Sequence, residues 1–385
     1  MTVEPVGSVA AGVDPRTAAA VVDLGAFSRN IQRLHDHVDR TIMVVVKADG
    51  YGHGMITCAR AARQAGADWL GTATPTEAVR VRRSGDLGRL LCWLYGPDED
   101  LSDAVAADID ITLHRADQLS MIRAAVATAG RPARVQLKID TGLSRNGSSM
   151  ESWPELCRQA HRAETDGTLT VTGIWSHFAA ADEPGHPSIS AQLEVYAEAL
   201  RVAEAAGLQP EVRHIANSAA ALTVPQARYD LVRLGIACYG VEPGPGIAAG
   251  VGVDLEPVMT LRAQLVAVKA VAAGVGVSYG HTWIADQDTV VGLVPLGYGD
   301  GIPVAASNCA EVQVGGRRAP IRGRVCMDQF VVDLGPTASD RVGDEVIVFS
   351  RADAGPTAEE WAAACHTIGY EIITRIGGRV PRVYR

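Results

Sequence analysis

The chain has 385 residues, 47% apolar and 21% charged, which suits a globular protein and excludes disordered, collagen-like and coiled-coil classes. Its 35 lysines and arginines against 44 acidic residues leave a net charge of −9, which argues against a nucleic-acid surface, where cations cluster. At about 150 residues per domain the length suits two or three domains, although one barrel can absorb about 250 residues.

Residues 1–19 hold Glu4, Asp14 and a single Arg16, without a basic start followed by an apolar run. They read as a ragged leader and not as a secretion signal. No stretch nears the roughly 18 uninterrupted apolar residues of a membrane span. From residue 20 to about 240, strand-like runs at 20–23, 42–47, 69–73, 89–95, 109–114, 133–140, 170–178, 211–216 and 230–234 alternate with helical stretches such as 54–65, 76–84, 115–129 and 188–206. Such alternation means βα units and a parallel sheet. Nine strands are one too many for an eightfold barrel. If 20–23 joins the second domain, the eight from 42 onward close an α/β, (β/α)8 TIM-type barrel within 20–245, with a doubly wound open sheet as the alternative. Beyond 245 the runs 257–272, 289–296, 310–314, 319–334 and 344–349 follow one another through turns, with one helix near 357–366. They predict a mostly antiparallel β domain over 246–385, reached through the Gly/Pro-rich linker at 240–250.

Seven scattered cysteines, odd in number and without a C-x-x-C pair, suit reduced thiols in a cytoplasm and give no zinc site. Lysine is rarer: only Lys47, Lys138 and Lys269 stand among the 35 cationic residues. In such an arginine-rich background a lysine is conspicuous, because its amine can lose a proton and attack a carbonyl.

A parallel barrel keeps its active site at the C-terminal ends of its strands. Numbered from 42, strand 1 ends at Lys47, Arg145 follows strand 5, His177 ends strand 6, Asn217 and Ser218 follow strand 7, and Arg233, Gly235 and Ile236 follow strand 8. The last two loops are where barrels hold phosphate. Ser218 serves there either as an anion ligand or as a plain N-cap. A scarce lysine opposite a phosphate site reads as the Schiff-base partner of pyridoxal phosphate, against the plainer reading of a side chain reaching out of the barrel.

VVVKADGYGHG at 44–54 resembles the cofactor-lysine motif of the alanine racemases, and the resemblance continues through KIDTGLSRNG, SHFAAADEPGHP, HIANSAA, VRLGIACYG, VSYGHTW, GYGDG, GRVCMDQFVVDL and GYEIITRIGGRVPRVY. It implies a barrel followed by a β domain, pyridoxal 5'-phosphate as cofactor, and interconversion of L- and D-alanine. Lys47 then carries the cofactor as an aldimine and acts as the base on the D-enantiomer, while Tyr279 acts on the L-enantiomer. Tyr51, His177, Asn217, Ser218, Gly235, Ile236 and Tyr370 match cofactor-binding positions, and Arg233 matches the arginine facing the pyridine nitrogen. Arg145, the backbone of Met327, and Asp328 match substrate-carboxylate positions. Asp182, Tyr298 and Arg324 fall at the entrance, where Val304 replaces a frequent arginine.

The resemblance further implies a homodimer with shared active sites, Tyr279 and Met327 coming from the second subunit. Lys138 matches a lysine carbamylated in many members; pairing with Asp140 is its plainer reading. Asp49-Gly50 replace a frequent Asn-Ala. A broader amino-acid racemase, a decarboxylase of the same architecture and a non-catalytic cofactor carrier are the alternatives. Arg233 weighs against the decarboxylase, and the β domain weighs against the carrier.

Overall fold

The computed structural model describes residue 14 and residues 16–385, so most of the expected leader lies outside the described residues. The end of that leader opens a strand instead, β1 (Ala18–Val22), two residues before the predicted start. The chain divides into two compact units. One joins residues up to Ala26 with Tyr51–Gly54 and Glu256–Arg385; the other holds Phe27–Gly50 and Met55–Leu255.

The longer unit is a ring of eight parallel strands: β2 (Thr41–Val45), β3 (Trp69–Thr72), β4 (Arg89–Cys92), β5 (Asp110–Leu113), β6 (Ala133–Lys138), β7 (Leu169–Trp175), β8 (Val212–His214) and β9 (Leu231–Leu234). From β2 to β8 each pairs with its sequence neighbour, and β9 returns to pair with β2. Between β8 and β9, Arg233 N–H donates to Ala216 C=O at 3.0 Å and Asp230 N–H to Arg213 C=O at 3.2 Å. The sheet is therefore closed, and the open-sheet alternative falls away. β3, β5 and β9 are buried at every position, as strands covered on both faces require. Met43, Trp69, Leu91 and Leu231 fill one part of the core. The outer helices turn one face inward: Trp153–Thr165 buries Trp153, Leu156, Cys157, Ala160 and Ala163 at spacings of one, three and four.

In the second unit, β10 (Met259–Gln264), β15 (Glu311–Val314), β16 (Arg317–Pro320), β18 (Glu345–Phe349) and β19 (Arg382–Tyr384) join β1 in a six-stranded sheet, ordered β16-β15-β18-β10-β1-β19. β11 (Ala267–Val271), β14 (Thr289–Val294) and β17 (Phe330–Gly335) form a three-stranded sheet, and β12 (Gly276–Val277) pairs with β13 (Trp283–Ile284). All these pairings are antiparallel except β1 with β19.

Two runs read as single strands are each divided. The 257–272 run breaks at Leu265–Val266, whose N–H groups bond Asp344 and Leu293 and so leave the β10 ladder. The 319–334 run is interrupted by the loop 321–329, which carries Arg324, Met327 and Asp328. A further helix, Gly369–Thr374, was not anticipated, because its six residues are too few to display a helical period. Among the described residues no helix is long and apolar enough to cross a membrane.

Candidate active site

β2 ends at Val45, and Lys47 follows at the start of a tight turn. Ala48, Asp49, Gly50 and Tyr51 all have φ between 51° and 63°, a single left-handed turn. Such conformations cost L-residues about 1–2 kcal/mol each, and glycine and aspartate tolerate them best. That is a physical reason for Asp49-Gly50 at this place. The turn is held by Gly50 N–H to Val46 C=O at 2.9 Å, by Ala48 N–H to Glu77 Oε1 at 2.8 Å, and by Met55 N–H to Asp49 Oδ1 at 3.0 Å.

The Lys47 amine lies 5.7 Å from the Trp93 ring centroid. Burial pulls it below the ordinary lysine value, Arg145 and Arg233 add to that, and Glu77 opposes it. Lys138, Trp175 and His214 are register partners across β6, β7 and β8, so one row of the barrel carries all three. The Lys138 amine sits 4.3 Å from the Trp175 ring centroid, and the His214 ring stacks on Trp175 at 5.7 Å. Burial, then Arg233 and Arg145, push Lys138 down to about 7.

Arg233 was expected after its strand; it is instead the third residue of β9 and only 5% exposed. Its guanidinium donates to His214 Nδ1 at 2.8 Å, to His177 Nδ1 at 3.0 Å, and to the carbonyls of Ser176, Ile215 and His214 at 2.8, 3.0 and 3.3 Å. Burial moves it down to about 10, so it stays protonated at neutral pH. Lys47, Lys138, Arg145 and Arg233 all act on His177, which burial and these cations hold well below the usual histidine range. Four basic side chains converging on one end of the barrel suit an anionic ligand.

Beside them, Asn217 caps the short helix Ser218–Thr223 by accepting Ala220 N–H at 3.0 Å, so Asn217 is the N-cap and Ser218 is the first helical residue. Ser218 Oγ accepts Gly235 N–H at 2.9 Å, which leaves its own proton to donate elsewhere. Ile236 opens the next short helix, Ile236–Tyr239. Arg145 is exposed on a loop shaped by Asp140, whose Oδ1 accepts Gly142 and Ser144 N–H at 2.9 and 3.0 Å. Asp182 is exposed on the same unit.

The remaining candidates belong to the other unit. Tyr279 is 72% exposed in the β12–β13 hairpin, and Met327 is 53% exposed in the 321–329 loop. Ser278 hydroxyl donates to Arg324 C=O at 2.6 Å, tying hairpin to loop. Tyr298 and Gly299 N–H donate to the carbonyls of Cys326 and Met327 at 3.0 and 2.8 Å. Arg379 bonds Asp328 at 2.8 Å and buried Asp300 at 3.2 Å. Tyr51 and Tyr370 face one another with ring centroids 6.5 Å apart.

Two family models match the chain in succession. The alanine racemase N-terminal domain matches residues 22–243 and the C-terminal domain matches 258–384. The chain belongs to the alanine racemase family. An alanine racemase of Streptomyces coelicolor is 52% identical over 374 residues, 95% of each chain, and one of Frankia casuarinae is 49% identical over 388 residues, 100% of each. The crystal structure of alanine racemase from D-cycloserine-producing Streptomyces lavendulae matches with a TM-score of 0.94 at 52% identity, covering 97% of this chain and 98% of that one. Biosynthetic alanine racemase of Pseudomonas aeruginosa matches at 0.84 and 38% identity, over 96% and 99% of the two chains.

Glu77, Trp93 and Trp175 escaped the reading of motifs, and His214 stands in HIANSAA with no role assigned to it. Each acts through a partner distant in sequence. The register that brings Trp175 beside Lys138 is invisible until the strands are paired.

Proposed function

We propose that this member of the alanine racemase family interconverts L- and D-alanine with pyridoxal phosphate held on Lys47. When bound, that cofactor withdraws electrons from the amino acid so that its α-proton becomes removable. The observation that carries the reading is Arg233, a buried guanidinium bonded to carbonyls and imidazoles. With the cofactor's ring nitrogen held against it, this guanidinium would donate a hydrogen bond without surrendering a proton. The cofactor would thereby be a weaker electron sink, and return of a proton to the α-carbon would be favoured over other reactions.

Lys47, its amine lowered by burial, moves the proton of the D-enantiomer. Tyr279 moves that of the L-enantiomer from the opposite face. Arg145 holds the substrate carboxylate, while Ser218 hydroxyl and the backbone around Gly235 and Ile236 hold the phosphate. The exposure of Tyr279 and Met327 supports a homodimer in which each copy completes the other's site. Lys138, with its amine near neutrality and Arg145 and Arg233 close by, suits addition of CO2 to a carbamate. Trp175 Nε1–H, buried without an acceptor in the same row, supports that reading. The seven free cysteines support the cytoplasm as its location.

The test is circular dichroism of L-alanine incubated with the cofactor-loaded protein in deuterated water. Ellipticity decays to zero and deuterium enters the α-position, and Lys47→Ala abolishes both. Constant ellipticity with cofactor bound overturns the reading.

A further inference from the structure

Glu77 lies in the first turn of the helix Pro75–Arg83, where it closes a capping box with Thr74. Its N–H donates to Thr74 Oγ1 at 3.2 Å, and its Oε2 accepts Ala73 and Thr74 N–H at 2.8 and 3.3 Å. A capping box needs one side-chain oxygen. The other, Oε1, leaves the helix altogether and accepts Ala48 N–H at 2.8 Å.

Ala48 is the first of the four left-handed residues after Lys47. As the first residue of a helical turn it has no carbonyl within the turn to bond. We propose that Glu77 is a positioning residue for Lys47: through Oε1 it fixes the Lys47–Ala48 peptide in its left-handed turn, and its charge balances the amine among the surrounding cations. Arg145 and Arg233 face Lys47 from the loop after β6 and from β9, with Lys138 and His177 beside them. Of the strongest electrostatic influences on the amine, Arg145, Glu77 and Arg233, Glu77 alone favours its charged form. The consequence for catalysis rests on Lys47 carrying the cofactor; the contact itself does not.

Glu77→Gln separates the two uses of the side chain. Glutamine serves equally well in a capping box, but its amide nitrogen then meets Ala48 N–H, donor against donor. The first measurement uses the cofactor-free protein. Reductive methylation with formaldehyde and cyanoborohydride is followed across pH, and the modified Lys47 peptide is read by mass; with three lysines in the chain the assignment is direct. The second measurement is the equilibrium constant for reloading pyridoxal phosphate.

In Glu77→Gln the methylation profile moves to lower pH by about one unit and reloading weakens roughly tenfold, while the melting temperature stays near wild type. Thr74→Ala, which removes only the cap, lowers the melting temperature and leaves both readouts in place. A Glu77→Gln protein with unchanged profile and reloading overturns the proposal. So does Thr74→Ala reproducing the shifts, or Glu77→Gln failing to fold while Thr74→Ala folds. A wild-type protein that shows the Glu77 dependence but leaves alanine unracemised sinks the proposed function and not this inference.

Discussion

Nη2 of Arg233 lies 3.0 Å from Nδ1 of His177. A guanidinium has only donors, so the imidazole nitrogen accepts, and the His177 proton resides on Nε2. The same logic holds on the other side, where Nη1 meets His214 Nδ1 at 2.8 Å and His214 Nε2 lies 2.7 Å from Gln136 Oε1. One arginine thus sets the tautomer of two histidines. Nitrogen NMR of labelled histidine is expected to show both neutral with Nε2–H through the region near pH 6.5 where free imidazoles titrate. Burial, aided by Arg233, holds both below that region. Arg233→Met removes the cation, and His177 then titrates at higher pH. A wild-type His177 that gains its proton near pH 6.5 would contradict the arrangement.

Lys138 is the clearest pH lever. Its amine moves from an unfolded value of 10.5 to about 7 in the fold, with burial the first cause. Between those values the unfolded chain binds the extra proton, so stability rises with pH there, by about 1.4 kcal/mol per unit at most, and levels off above the unfolded value. Below about pH 7 both states are charged and the cost is complete. Denaturation followed from pH 7 to 10 is expected to show a slope that Lys138→Met flattens. If the neutral amine adds CO2, bicarbonate at pH 8 raises the wild-type melting temperature and leaves Lys138→Met unmoved. Equal response of the two proteins to bicarbonate would argue against the carbamate.

Much of the barrel could be read from the chain because its strands hold contiguous apolar runs such as IMVV in β2 and LLC in β4, separated by helical periods. Lys47 stood out by scarcity. What could not be read depends on pairing. Arg233 falls within the 230–234 run yet was counted with the residues after it; it lies inside β9, where three backbone carbonyls and two imidazoles solvate its charge. The break at Leu265–Val266 was equally hidden, since the backbone groups that draw those residues away lie on Asp344 and Leu293.

Arg379 connects buried Asp300 with Asp328, next to Met327, at 3.2 and 2.8 Å. Asp300 in turn accepts Gly297 N–H at 2.9 Å, and Gly299 N–H holds Met327 C=O at 2.8 Å. The loop proposed to meet the substrate carboxylate is thereby clamped from two directions. Arg379→Ala is expected to raise KM for alanine a few-fold, with a smaller effect on kcat. Arg379→Lys, keeping one charged donor, recovers part of the loss. A fall in kcat with KM unchanged would mean that the clamp does not act through carboxylate binding.

Subunit sharing has a decisive test because Lys47 and Tyr279 belong to different units of the fold. If each site takes Lys47 from one copy and Tyr279 from the other, a mixed dimer of Lys47→Ala and Tyr279→Phe places both defects in one site. The second site is then intact. Random exchange makes half the dimers mixed, each with one working site of two, so activity recovers to about a quarter of wild type. If both residues came from the same copy, every site would keep one defect and mixing would restore nothing. Isotopic exchange sharpens the assignment. Tyr279→Phe alone is expected to slow α-proton removal from L-alanine more than from D-alanine, and equal losses in the two directions would exclude the assigned faces.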